Sequence, residues 1–127
     1  DVYIEMRVKD HPLFKRSDND LYINLPLTIT EAVLGCKKEI PTLEGNVILT
    51  VPAGSKTGEK HRIKGKGLKS PKGYSQGDLY VILDVIIPNK LDRKQKKLFE
   101  DLSKTNLKTS AFDTYEKYLK KNIKKVK

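Results

Sequence analysis

Residues 77–87, GDLYVILDVII, are almost continuously apolar. The run is far too short for the roughly 20 residues that cross a bilayer. It reads instead as a strand buried on both faces, or as the central strand of a sheet. Such a strand needs partners, and the preceding sequence offers several. DVYIEMRV (1–8) alternates, with Val2, Ile4, Met6 and Val8 on one side and Tyr3, Glu5 and Arg7 on the other. DLYINLPLTI (20–29) follows the turn-like KRSDND, and Pro26 within it argues for an edge position or a bulge. KKEIPTL and NVILTV flank Glu44-Gly45-Asn46, a tight hairpin signal. TEAVLG (30–35) suits a single helical turn closed by Gly35. Residues 1–88 are therefore expected to be mainly β.

The period changes after Pro88. Leu91, Leu98, Phe99 and Leu102 are spaced as one stripe of a helix over 92–104, and Asp92 with Gln95 resembles a capping box. A second helix is expected after KTNLKT, capped by Ser110 with Asp113. Phe112, Tyr115, Leu119, Ile123 and Val126 form one face of it, lysines form the other, and KKNIKKVK is expected to fray. The whole is a β-sandwich followed by one or two C-terminal α-helices.

Charge is localised. The net charge is +10, yet residues 90–127 hold 13 Lys/Arg against 5 Asp/Glu, and residues 55–73 hold 7 against 1. The remainder is net negative, so the basicity belongs to a loop and a tail. A loop and a lysine-rich helix could neutralise phosphates. Readers of single strands, however, interleave aromatics with the basic groups, and the loop has only Tyr74 at its edge. Specific nucleic-acid binding is not expected. Nor do Gly54–Gly58 or Gly65-Lys66-Gly67 meet the spacing of a phosphate loop. Gly65 and Gly67 are read as turn residues.

One cysteine, Cys36, excludes an internal disulfide; with only His11 and His61 beside it, the count argues against structural zinc. No cofactor is expected. The opening DVYIEMRV has neither a basic n-region nor an apolar h-region, so a reducing, cytoplasmic setting and no membrane partner are expected. Asp78 and Asp84 share one strand without a His or Cys placed to work with them, so no catalytic set assembles and no enzyme is expected. Finally, Asp1-Val2-Tyr3-Ile4, Asp20-Leu21-Tyr22-Ile23 and Asp78-Leu79-Tyr80-Val81 echo one another. Either the pattern is simply a good strand entry, or it marks the ends of two similar β units.

Taken in order, His11-Pro12-x-Phe14-x-Arg16, Leu34-Gly35, Thr42-Leu43-x-Gly45 and Gly65-Lys66-Gly67, followed by GDLYVILDVIIPNKLDRKQKKLFEDL, resemble the C-terminal β region of DnaJ-type co-chaperones over about residues 1–103. The resemblance implies two stacked β-sandwich subdomains and a dimerisation helix. On this reading residues 1–14 are the last strand of the first subdomain and a linker. Residues 15–90 are the second subdomain, and 91–127 are the dimerisation helix with a basic helical tail. The chain then reads as a fragment of a longer co-chaperone that binds non-native polypeptide and presents it to a DnaK-type chaperone. Ile4, Met6, Val8 and Phe14 would help line an apolar depression for substrate, although Phe14 could equally be core. Leu91, Leu98, Phe99 and Leu102 would pair with a twin in a homodimer, or else pack on their own sandwich. His11-Pro12 is followed by Leu13, so it is not the His-Pro-Asp of a J domain, and the cysteine-rich zinc module is absent. The chain as given is not expected to stimulate ATP hydrolysis. The competing reading is a basic β-domain that binds RNA or an acidic partner.

Overall fold

The structure is a computed structural model that describes residues 13–70, 73 and 75–120, Lys120 in its backbone only. It divides into two compact units, 1–88 and 89–127.

Within the first unit a four-stranded sheet runs in the order β1-β2-β6-β5, and a two-stranded sheet pairs β3 with β4. The strands are β1 (Phe14–Ser17), β2 (Asp20–Leu27), β3 (Cys36–Thr42), β4 (Gly45–Val51), β5 (Lys60–Ile63) and β6 (Leu79–Val85). A short helix, α1 (Ile29–Leu34), links β2 to β3. Phe14, Leu21, Ile23, Leu27, Leu79, Val81 and Leu83 from the large sheet close on Ile40 and Val51 of the hairpin, with Leu68 among them. The fold is thus mainly β, as the patterning predicts.

β6 is central, between β2 and β5, but it is not buried on both faces. Leu79, Val81 and Leu83 are sealed in the core. The opposite face carries half-buried Tyr80 and Ile82 and exposed Asp84. That face is shielded by its own side chains: Tyr22 and Tyr80 stack with ring centroids 5.1 Å apart, and the Lys60 ammonium lies over both rings. β2 and β6 are parallel, with Leu21 opposite Leu79, Tyr22 opposite Tyr80 and Ile23 opposite Val81. Two of the three sequence echoes are therefore one in-register pair within one sheet, each strand needing the same inward and outward residues. The third, Asp1–Ile4, lies outside the described residues.

Local chemistry sets the boundaries. β1 stops pairing at Ile23, so among the described residues the half of β2 that holds Pro26 is bordered by β6 alone, where a missing N–H is tolerated. β1 itself absorbs Lys15, Arg16 and Ser17, leaving Asp18 and Asn19 as the turn, with Asp18 at φ 53°. The β3–β4 turn is Leu43–Glu44, one position earlier than the sequence reading, because Thr42 pairs with Gly45. α1 begins at the N-cap Thr28, whose side chain accepts from the Glu31 N–H while the Glu31 carboxylate accepts from the Thr28 N–H. It ends at Gly35, φ 83°.

The second unit contains α2 (Arg93–Ser103), a 3₁₀ turn (Ser110–Phe112) and α3 (Asp113–Lys120). Thr109, not Ser110, caps the turn: its hydroxyl accepts from the Ala111 N–H. The two residues have the same capping chemistry, and the earlier one is used. Residues 121–127, where fraying is expected, lie outside the described residues.

Candidate functional site

The basic glycine-rich stretch folds first as β5, then as a stitched turn. Lys60–Ile63 alternates exposed and half-buried positions and pairs antiparallel with β6, Lys60 opposite Ile82 and Ile63 opposite Leu79. The Gly65 N–H donates to the Asp78 carboxylate (2.8 Å), the Gly67 N–H to the Gly77 carbonyl (2.8 Å), and the Leu68 N–H to the Asn19 carbonyl (2.7 Å). The Asp78 N–H in turn donates to the Asp20 carboxylate (2.8 Å). Asp20 and Asp78 thus fasten the starts of two strands to the turns beside them, which accounts for both aspartates without catalysis.

The charges of the stretch are partly held. Arg62 lies 3.7 Å from Asp78, Lys66 lies 3.6 Å from Glu44, and Lys60 covers the tyrosine pair. Both glycine N–H groups of Gly65-Lys66-Gly67 are thus already engaged within the domain. Among the described residues no group of three or more His, Cys, Asp or Glu side chains is placed to hold a metal, and Cys36 is a free, half-buried thiol at the start of β3.

The stripe on α2 is a different kind of surface. Asp92 and Gln95 form a reciprocal capping box: the Gln95 N–H donates to the Asp92 carboxylate (2.7 Å) and the Asp92 N–H to the Gln95 side-chain oxygen (3.0 Å). Lys97 pairs with Asp101 one turn on, at 3.0 Å. Leu98 and Leu102, four apart, are 59% and 46% exposed, Phe99 beside them is half-buried, and Leu91 before the cap is 39% exposed. Four predicted residues therefore present apolar surface on or beside one helix.

Phe14 stands elsewhere. It sits on β1 opposite Ile23 and is 6% exposed, within the core. Ile4, Met6 and Val8 lie outside the described residues. Among the exposed apolar groups that went unread in the sequence are Val33 and Leu34 at the end of α1, 58% and 75% exposed. A six-residue helix is too short for its periodicity to reveal which side faces water.

Comparison with known proteins gives one consistent result. Residues 1–88 match the family described as DnaJ C terminal domain. The "Chaperone protein DnaJ" of Geobacillus thermodenitrificans is 41% identical over 121 residues, 95% of this chain and 32% of that protein. That of Geobacillus kaustophilus is 46% identical over 104 residues, 82% of this chain and 27% of its own length. That of Acholeplasma laidlawii is 42% identical over 120 residues, 93% and 32% respectively. The chain spans about a third of the length of these relatives.

Proposed function

Because the chain belongs to the DnaJ C-terminal domain family, we propose that it is the client-holding and self-pairing part of a co-chaperone that hands non-native polypeptide to a DnaK-type chaperone. The observation that carries the self-pairing is the exposure of Leu98 and Leu102 on one side of α2. Apolar side chains left in water at helical spacing favour association, and a twin presents the same surface in return. Pairing also has a use: two weak client sites on one dimer raise the effective concentration of each for a long unfolded chain.

Client contact is assigned to Ile4, Met6 and Val8, one side of the first alternating segment, with Phe14 anchoring the strand that follows them. Phe14 has little surface left to offer, so its part is to hold position rather than to grip. The β-domain reading with RNA as partner has less support, since Lys60, Arg62 and Lys66 of the basic stretch already have partners within the domain.

Sedimentation of the intact chain tests the pairing. Leu98→Asp with Phe99→Asp should give a folded monomer from a wild-type dimer; an unchanged association state removes α2 as the interface. Suppression of client aggregation tests the contact residues. Ile4→Ser with Met6→Ser should weaken it while leaving sedimentation unchanged, and undiminished suppression refutes the assignment.

A further inference from the structure

The charges of α2 run against its own dipole. Arg93, Lys94, Lys96 and Lys97 crowd its first half, where the helix end carries partial positive charge. Glu100 and Asp101 stand near the other end, which carries partial negative charge. The caps Asp92 and Lys104 aside, no acid lies in the first turn and no base in the last. For a helix by itself in water this order is unfavourable. It suits a helix that lies beside a second one running the opposite way, because each basic half then borders an acidic end.

Position around the helix narrows the contact. Lys94 lies four residues before Leu98 and Asp101 three after it, so both flank the stripe of Leu98 and Leu102 on the same side. Both are exposed. The Asp101 carboxylate holds Lys97 of its own helix at 3.0 Å and, with two oxygens to offer, has room for another cation.

We propose that the two copies of α2, in the self-pairing on which this rests, lie antiparallel, with Lys94 of each protomer against Asp101 of the other. In an antiparallel pair each flank meets the same flank of the second helix, and charges placed there set orientation and choice of partner. The register that brings Lys94 to Asp101 also sets Leu91 of one protomer against Leu102 of the other, so the exposed leucine just before the cap is covered as well. A parallel pair would instead put basic half beside basic half and acidic end beside acidic end.

Sedimentation of the intact chain with exchanged charges is the test. Lys94→Glu by itself, and Asp101→Lys by itself, should each weaken self-association about tenfold, because the two-fold contact then sets like charges together twice. Lys94→Glu moves charge the way the helix dipole favours, so its loss does not come from a weakened helix. An equimolar mixture of the two variants should associate at least as tightly as wild type, since every Lys94–Asp101 contact between them is again opposite in sign, and this recovery shows that both variants fold. All these differences should shrink as salt is raised. Weakened single variants with no recovery in the mixture overturn the antiparallel arrangement. Association that ignores both changes yet is lost in Leu98→Asp with Phe99→Asp overturns it too, while leaving the self-pairing in place. A wild-type chain that stays monomeric removes the self-pairing itself, and the arrangement with it.

Discussion

A methyl group placed on Gly77 would sit 1.9 Å from the Asn19 carbonyl oxygen and 2.3 Å from its carbon, and both are backbone atoms that no side-chain rotation can clear. Gly67 is nearly as tight, 2.5 Å from the same oxygen. Gly65 has open space around it and needs glycine only for its φ of 75°. Alanine at the three positions should therefore separate two causes. Gly77→Ala should cost about 3 kcal/mol or more through overpacking, with Gly67→Ala close behind, while Gly65→Ala should cost about 1 kcal/mol through backbone conformation. Urea midpoints of the β signal measure the order; equal losses at all three would mean that close approach is not what fixes the turn. A second residue-scale effect lies in Glu31. Its hydrogen bond from the Lys38 ammonium, then that from the Thr28 N–H, hold its carboxyl below the usual 4.5, and the same pairing raises Lys38 above 10.5. A lowered acid stabilises the fold above its ordinary value and loses that contribution as pH falls through the lowered one. A raised lysine stabilises below its ordinary value and loses it as pH climbs through the raised one. Wild type should exceed Glu31→Gln in stability by up to about 1 kcal/mol on a plateau between about pH 6 and 9. The gap should close toward acid and toward strong alkali; a gap that persists below pH 3 or so would place the effect in shape rather than charge.

Elements differ in how plainly the sequence announces them. α2 is explicit, because Asp92, Gln95 and the Leu98, Leu102 spacing state its cap and its stripe together, and the structure has both. β6 is explicit in its apolar run, but the run cannot say that its outer face is covered by Tyr22, Tyr80 and Lys60 rather than by another layer; that depends on parallel pairing across 58 residues of sequence. β5 is hidden, since Lys60, His61, Arg62 and Ile63 carry one aliphatic residue in four and become a strand only because β6 has an open edge. Phe14 is hidden for another reason: alternation assigns a side but not whether that side faces core or water. Caps can be read because they are local, whereas burial is decided by partners far along the chain. The cap on α2 yields its own prediction. Asp92→Ala should cost the helix about 1 kcal/mol. At 11 residues α2 is marginal alone, so the loss should appear as reduced helical circular dichroism while the urea midpoint of the sheet stays put. A shifted sheet midpoint would show the helix and the sheet melting as one.

At the scale of the molecule, the division at Pro88 separates two ways of being stable. The described residues of the first unit close a core of their own, with β2 and β6 each flanked by neighbours in the large sheet. Residues 89–127 have helices whose large apolar side chains remain in water, and such helices open locally at little cost unless something covers them. If a twin covers α2, its stability depends on protein concentration by mass action, while that of the sheet does not. Hydrogen exchange should then show the amides of β2 and β6 exchanging slowest, at rates independent of dilution. The amides of α2 should gain protection as concentration rises, and Leu98→Asp with Phe99→Asp should erase that gain. Protection of α2 that ignores dilution would remove the twin as its cover.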